Sequence, residues 1–294
     1  MCDELTESDN ALFLARRDVA KLGAGVGLAA MLAGCATSGG AGEAGVTALE
    51  TVSTTVSIAT ADGTADAFFV HPVRGAHPAV ILWPDIAGLR PAYQQMATRL
   101  AAAGFAVLAV NQYYRGSPAP VLASFAEWRT DAGRARLQPM IAALTPSATM
   151  RDAAAFITWL DLQGAVDIRR KIGSAGYCMG GPHTFRTAAA VPARVGAIAS
   201  FHGGGLVTDA PDSPHRLIER FNAAMLIAIA QNDDERAPAD KDALRAAATA
   251  AGRPAEIEVY PAQHGWCTID APVYDAVQAE RAWARMLAMF GERL

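Results

Sequence analysis

Cysteine, aspartate and histidine are the residue types from which a thiol nucleophile is built. In this chain one of each follows an apolar, strand-like run. Cys178 sits in Gly176-Tyr177-Cys178-Met179-Gly180-Gly181, a G-x-C-x-G-G pattern, with Lys171-Ile172-Gly173-Ser174-Ala175 before it and a helix-compatible segment, Pro182 to Ala190, after it. Strand, sharp turn and helix make the context of a nucleophile elbow, with cysteine in place of serine. The glycines let neighbouring chains approach the turn. The turn lifts the side chain and aims the next backbone N–H, that of Met179, at a reacting carbonyl oxygen. A buried, inert thiol in a Gly-rich turn is the structural alternative.

The partners shift that balance. Ala224 to Ala230 is an apolar strand candidate ending in Gln231-Asn232-Asp233-Asp234-Glu235, and the β-rich run Glu256 to Tyr260 leads into Pro261-Ala262-Gln263-His264-Gly265-Trp266. Open α/β sheets place site residues at the carboxyl ends of strands. A thiol is only slightly ionised near neutral pH, so an imidazole must take or share its proton. A carboxylate must then orient that imidazole and stabilise its charged form. Nucleophile, acid, histidine is also the chain order of an α/β-hydrolase. Asp233 is the expected acid, as the residue nearer the strand end, and Asp234 is the alternative. Class I glutamine amidotransferases carry an acid two residues after the histidine; Trp266 stands there.

These three blocks, with Ile81-Leu82-Trp83-Pro84-Asp85-Ile86-Ala87-Gly88 as a fourth, resemble the dienelactone hydrolase (carboxymethylenebutenolidase) family from about Val56 to the end of the chain. The resemblance implies an α/β-hydrolase fold, a mostly parallel sheet with helices on both faces. It also implies no cofactor, and hydrolysis of a small-molecule ester or lactone through a thioester. It makes Cys178 the nucleophile, His264 the base and then acid, and Asp233 the orienting carboxylate, with an oxyanion hole from the N–H groups of Met179 and Ile86. Asp85 falls where the family has a glutamate that contacts the resting thiol. Arg115, in Gln112-Tyr113-Tyr114-Arg115, resembles one of two substrate-carboxylate arginines. The other is missing from Gly265-Trp266-Cys267-Thr268, so a looser or different ester or lactone specificity than the family's carboxylate-bearing substrate is expected.

Composition narrows the class. The 294 residues are 52% apolar with net charge −4, enough for one sizeable core. No basic run suggests nucleic acid. Cysteines 2, 35, 178 and 267 make no C-x-x-C pair or zinc spacing, so no metal site is expected. Cys267 reads as packing, with a redox partner for Cys178 as an alternative. The N-terminus reads as an address rather than fold. Arg16-Arg17 is a twin-arginine pattern followed by a weakly apolar Gly/Ala-rich run, and Leu32-Ala33-Gly34-Cys35 fits a lipobox. Residues 1–35 are then a signal peptide, 36–50 a flexible tether and 51–294 the catalytic domain. The expectation is export to the periplasm or cell envelope, with membrane attachment through a lipidated Cys35. Ordinary cleavage nearby and an uncleaved signal anchor are the alternatives.

The elements that must position the site follow the same reading. Val52–Ala59 and Asp66–His71 form a hairpin around Ala61-Asp62-Gly63. Ala79–Trp83, Gly104–Val110 and Val195–Phe201 are further strands; Pro91–Ala103, Thr149–Leu162 and Asp275–Phe290 are helices. Ser124–Leu144 reads as a lid. Trp83, Tyr113, Tyr114 and Trp266 are candidates for an aromatic pocket wall, with Trp266 the one placed against substrate. His202 is a pocket-rim residue or a structural histidine. An acyltransferase or peptidase on this scaffold, or a thiol redox or binding protein of the envelope, are the competing readings.

Overall fold

The computed structural model describes residues 6, 8–15 and 48–294. The Arg16-Arg17 pair, the lipobox with Cys35 and residues 36–47 of the expected tether lie outside the described residues.

Eight strands form one sheet in the order β1-β2-β4-β3-β5-β6-β7-β8. They are β1 (Thr51–Thr60), β2 (Gly63–Pro72), β3 (Ala79–Trp83), β4 (Ala106–Val110), β5 (Ile172–Tyr177), β6 (Val195–Phe201), β7 (Ala224–Ala230) and β8 (Ala255–Tyr260). β2 pairs antiparallel with both β1 and β4, and all pairings from β4 through β8 are parallel. The helices are α1 (Pro91–Ala102), α2 (Phe125–Trp128), α3 (Asp131–Ala142), α4 (Pro146–Leu160), α5 (Gly181–Ala190), α6 (Gln231–Arg236), α7 (Asp240–Ala251) and α8 (Ala276–Arg293), with a four-residue helical turn at Pro214–Leu217.

Strand alternation explains the two cores. In β3 all five residues are buried. Ile81 and Trp83 join one apolar layer with Phe156 and Leu160 of α4 and Phe185 of α5. Val80 and Leu82 join the opposite layer with Tyr93 and Leu100 of α1 and Met286 and Phe290 of α8. A period of two sends neighbours to opposite faces, and a sheet covered on both faces needs apolar residues at every position. The α/β-hydrolase architecture read from the sequence is the one observed.

A third, smaller apolar cluster covers the carboxyl end of the parallel strands. It joins Ile86, Tyr113 and Leu122 to Phe125 and Trp128 of α2, Leu137 of α3, and Cys178 with Met179. The segment expected to be a lid is this cap, with α2 and α3 as its helices.

Two stretches expected to lie outside the domain touch it. The Leu49 N–H donates to Ala102 O at 2.9 Å. Residues 8–15 are helical. In this segment Asn10 Nδ2 donates to His264 O at 3.0 Å, and Asp9 pairs with Arg236 at 2.7 Å.

Candidate active site

The elbow is built by close packing. β5 ends at Tyr177, Cys178 takes φ 51°, and α5 starts three residues later. A Cβ on Gly176 would stand 2.1 Å from Gly180 O, and one on Gly180 would stand 2.3 Å from Trp83 O. No side chain fits either place, which is why glycines flank the turn. Cys178 is buried, and neither Cys178 nor Cys267 forms a disulfide among the described residues.

The structure brings His264 and Asp233 to the thiol. His264 Nδ1 lies 2.7 Å from Asp233 Oδ2, and the same imidazole is within hydrogen-bonding reach of the Cys178 side chain. The backbone N–H of His264 donates to Asn232 Oδ1 at 2.8 Å, so the residue before the acid fixes the histidine loop. Burial opposes charge on His264, but Asp233 and then Cys178 outweigh it and raise its pKa to about 10. Asp234 is held elsewhere, with both carboxylate oxygens 2.7 Å from Lys241 Nζ.

The loop carrying the expected oxyanion donor Ile86 has an unexpected scaffold. Gln112 Nε2 donates to Asp85 O at 2.8 Å, and Tyr113 Oη donates to Ile86 O at 2.7 Å. In a trans peptide the C=O and the following N–H point oppositely. Fixing the Asp85 carbonyl therefore orients the Ile86 N–H as well. Gln112 and Tyr113 were read only as neighbours of Arg115 and as a wall aromatic; polar side chains just after a buried strand were the available signal.

Three of the expected site residues have other partners in the structure. Asp85 is 1% exposed, and its side chain is committed to other partners: both its oxygens accept from Arg90, at 2.7 and 2.9 Å, and one also accepts the Ala87 N–H. Arg115 is held by Asp152 at 2.8 Å and Asp62 at 2.6 Å, its charge neutralised beside the β1–β2 turn. Trp266 is fully buried beneath the site, stacked on Tyr260 at 5.3 Å and edge-on to His202 at 5.1 Å, so it is packing and not a pocket wall. Trp83 and Tyr114 belong to the core on the α4 side; the cap supplies Phe125 and Trp128 with Tyr113 instead.

The sequence also hid a buried ion cluster. Arg90 is 1% exposed, and it donates to Asp85, to Asp270 at 2.7 and 2.8 Å, and to Gly88 O at 3.1 Å. Every N–H of the guanidinium is used. Burial disfavours the charge, yet the two carboxylates hold Arg90 firmly protonated, and Arg90 draws the Asp270 carboxyl below its usual range against the opposing effect of burial. The cluster ties the loop after β3, carrying Ile86, to the loop carrying His264. Cys267, on the same loop as His264, packs in the apolar layer shared with α1 and α8, its thiol pushed up by burial.

The sequence model of the Dienelactone hydrolase family matches residues 65–294. The chain belongs to the dienelactone hydrolase family. It is a hydrolase of ester or lactone bonds on an α/β-hydrolase scaffold. The chain is 30% identical over 222 residues to the "Putative carboxymethylenebutenolidase" of Escherichia coli K12, covering 74% of this chain and 77% of that protein. It is 28% identical over 171 residues to a "Probable 2-oxo-3-(5-oxofuran-2-ylidene)propanoate lactonase" of Bradyrhizobium, covering 57% and 64%. Among solved structures it resembles the "Putative Dienelactone Hydrolase" of Klebsiella pneumoniae, with TM-score 0.71, 22% identity, and coverage of 83% of this chain and 99% of that one.

Proposed function

We propose that this family member is an exported cysteine hydrolase that cleaves an uncharged ester or lactone through Cys178, His264 and Asp233. The observation that carries the reading is one imidazole with Asp233 against Nδ1 and the Cys178 side chain in hydrogen-bonding reach. Nδ1 faces Asp233, so Nε2 is the nitrogen that exchanges a proton with sulfur. The thiol gives its proton to His264, and the sulfur attacks the carbonyl carbon. The C–S bond forms as the carbonyl electron pair moves to oxygen, where the N–H groups of Met179 and Ile86 receive it. Collapse of this intermediate expels the alkoxide, which takes the proton from His264 and leaves a thioester. Water then gives a proton to His264 and attacks the thioester carbon, and the C–S bond breaks to release the acid.

The substrate class follows from the cap. Cys178 clusters with Ile86, Leu122, Phe125, Trp128 and Leu137. Arg90 is fully used, and Arg115 is paired twice. These features favour an apolar neutral ester or lactone over one bearing a carboxylate. Export by the twin-arginine route and acylation of Cys35 rest on Arg16-Arg17 and Leu32-Ala33-Gly34-Cys35. Among the described residues no helix is long and apolar enough to cross a membrane.

The test is turnover of p-nitrophenyl esters of increasing chain length and of simple lactones, with and without a carboxylate, by the parent and by Cys178→Ala. Loss of turnover by about 10³-fold or more in the variant supports the nucleophile. Unchanged turnover removes it, and equal or better turnover of the carboxylate-bearing lactone removes the apolar substrate class.

A further inference from the structure

We propose that His202 is a positioning residue for the nucleophile, holding the Cys178 backbone in the conformation that presents sulfur to His264. The inference rests on Cys178 as the nucleophile and adds a residue to that site. Among the described residues, Cys178 (φ 51°) and His202 (φ 41°) are the non-glycine residues with positive φ. They are bonded to each other: the Cys178 N–H donates to His202 Nδ1 at 3.1 Å. Two strained backbones in direct contact at a site are a mutual constraint, since each conformation persists only while its surroundings enforce it.

The turn that carries His202 grips both sides of the nucleophile's own residue. Its imidazole takes the Cys178 N–H, and the Gly204 N–H donates to Cys178 O at 3.4 Å. The two loops are in backbone contact, since a Cβ on Gly181 would stand 2.6 Å from Gly203 Cα. His202 is anchored in turn by its own N–H, which donates to Ala228 O at 2.8 Å. β7, to which Ala228 belongs, leads into Asn232 and Asp233. The ring is wedged edge-on between those of His264, at 4.9 Å, and Trp266, at 5.1 Å. One residue thus registers the elbow after β5 against the acid-bearing and histidine-bearing strand ends.

The hydrogen bond also fixes a protonation state. Nδ1 must offer its lone pair to the Cys178 N–H, so His202 is neutral with its proton on Nε2. The titratable groups around it are the Cys178 thiol, the His264 imidazole and Tyr177, with Asp233 beyond His264. Burial, helped by the charge on His264, holds the His202 pKa below its ordinary value against the opposing pull of Cys178 and Asp233. The site therefore holds two imidazoles in hydrogen-bonding reach of the Cys178 side chain: His264, oriented by Asp233, exchanges the proton, and His202 accepts the Cys178 backbone N–H.

Asparagine at 202 keeps an acceptor where Nδ1 stands and tolerates positive φ. Glutamine places its amide farther out and lacks that acceptor. The experiment uses the full chain and reads kcat and KM for a p-nitrophenyl ester, together with the pH profile of Cys178 alkylation by iodoacetamide. His202→Ala and His202→Gln are expected to lower kcat about 10- to 100-fold, the cost of a misplaced reacting group, with KM little changed and an altered alkylation profile. His202→Asn is expected to recover most of the parent's kcat and its alkylation profile. The proposal is overturned if Asn and Gln are equally impaired, or if both match the parent. If His202→Ala does not fold, the Asn and Gln pair still decides. Failure of Cys178→Ala to lose ester turnover would instead sink the nucleophile reading, a result that alkylation of the parent keeps separate.

Discussion

Asp85 and Asp233 occupy matching places at the site, each just beyond a parallel strand, β3 and β7, and their fates differ entirely. Asp85 faces a guanidinium and Asp233 an imidazole. Arginine stays protonated at any physiological pH, so Asp85 is locked in a permanent ion pair. Histidine can give its proton up, so Asp233 modulates a group that changes charge. A carboxylate at a strand end is therefore structural or catalytic according to its partner, and position alone does not decide which.

The comparison breaks most visibly at Asp233. Asp233→Asn is expected to lower kcat for ester hydrolysis by about 10⁴-fold, as loss of the orienting acid leaves the imidazole in the wrong tautomer. Asp234→Asn, one residue away and paired to Lys241, is expected to leave kcat near the parent's. Equal losses in steady-state assays would erase the distinction between the two aspartates.

The same pair predicts how stability changes with pH. The folded pKa of His264 is raised to about 10 from 6.5, so the folded state holds this proton more tightly than the unfolded one. The resulting stability is fully present below about pH 6.5 and is lost as pH rises towards 10. Urea unfolding of the parent between pH 6.5 and 10 is expected to show falling stability, and Asp233→Asn a shallower fall. Parallel curves would contradict the assigned pair.

On the other side, Arg90→Met is expected to destabilise the fold by roughly 3–5 kcal/mol, because it strands buried Asp85 beside a half-buried Asp270. The triple change Arg90→Met, Asp85→Leu, Asp270→Leu is expected to recover much of that loss, since replacing a buried ion cluster by apolar groups is often neutral. Denaturation midpoints measure both. If the single change is harmless, Arg90 is not the structural counterpart of His264.

Legibility in the sequence followed the range of the interaction. β3, β6 and β7 have the limits read from their apolar runs, and the elbow glycines are local signals of close packing. Asp233 and His264 were legible because chain order and strand ends place them. What stayed hidden depends on distant partners. Arg90 meets Asp270 across 180 positions, and nothing near either residue announces the pair. The partners of Arg115 and Trp266 stayed hidden for the same reason: each has the chemistry of a substrate contact, but Asp62 and Asp152, or Tyr260 and His202, hold it from distant positions. His202 was left between rim and structure, and only the bond to the Cys178 N–H gives it a task.

The smallest expected effect concerns the N-terminal helical segment, which sequence alone assigns to an address. Arg236 is shared: its guanidinium pairs with Asp9 at 2.7 Å, donates to Thr6 Oγ1 at 2.7 Å, and stands 4.0 Å from Asp233 Oδ1. Asp9 thus shares Arg236 with Asp233, the acid that in the proposed mechanism orients His264. Asp9→Ala is expected to cost roughly 0.2–1 kcal/mol of stability, as for other partly exposed pairs. It also frees Arg236 to turn onto Asp233, which weakens the hold of Asp233 on the imidazole. In the unprocessed full chain, which retains Asp9, a modest fall in kcat is therefore expected in Asp9→Ala and not in the double variant Asp9→Ala, Arg236→Met, where no cation competes. If the single and double variants are equally slowed, the segment acts on His264 through Asn10 and the loop backbone rather than through Arg236.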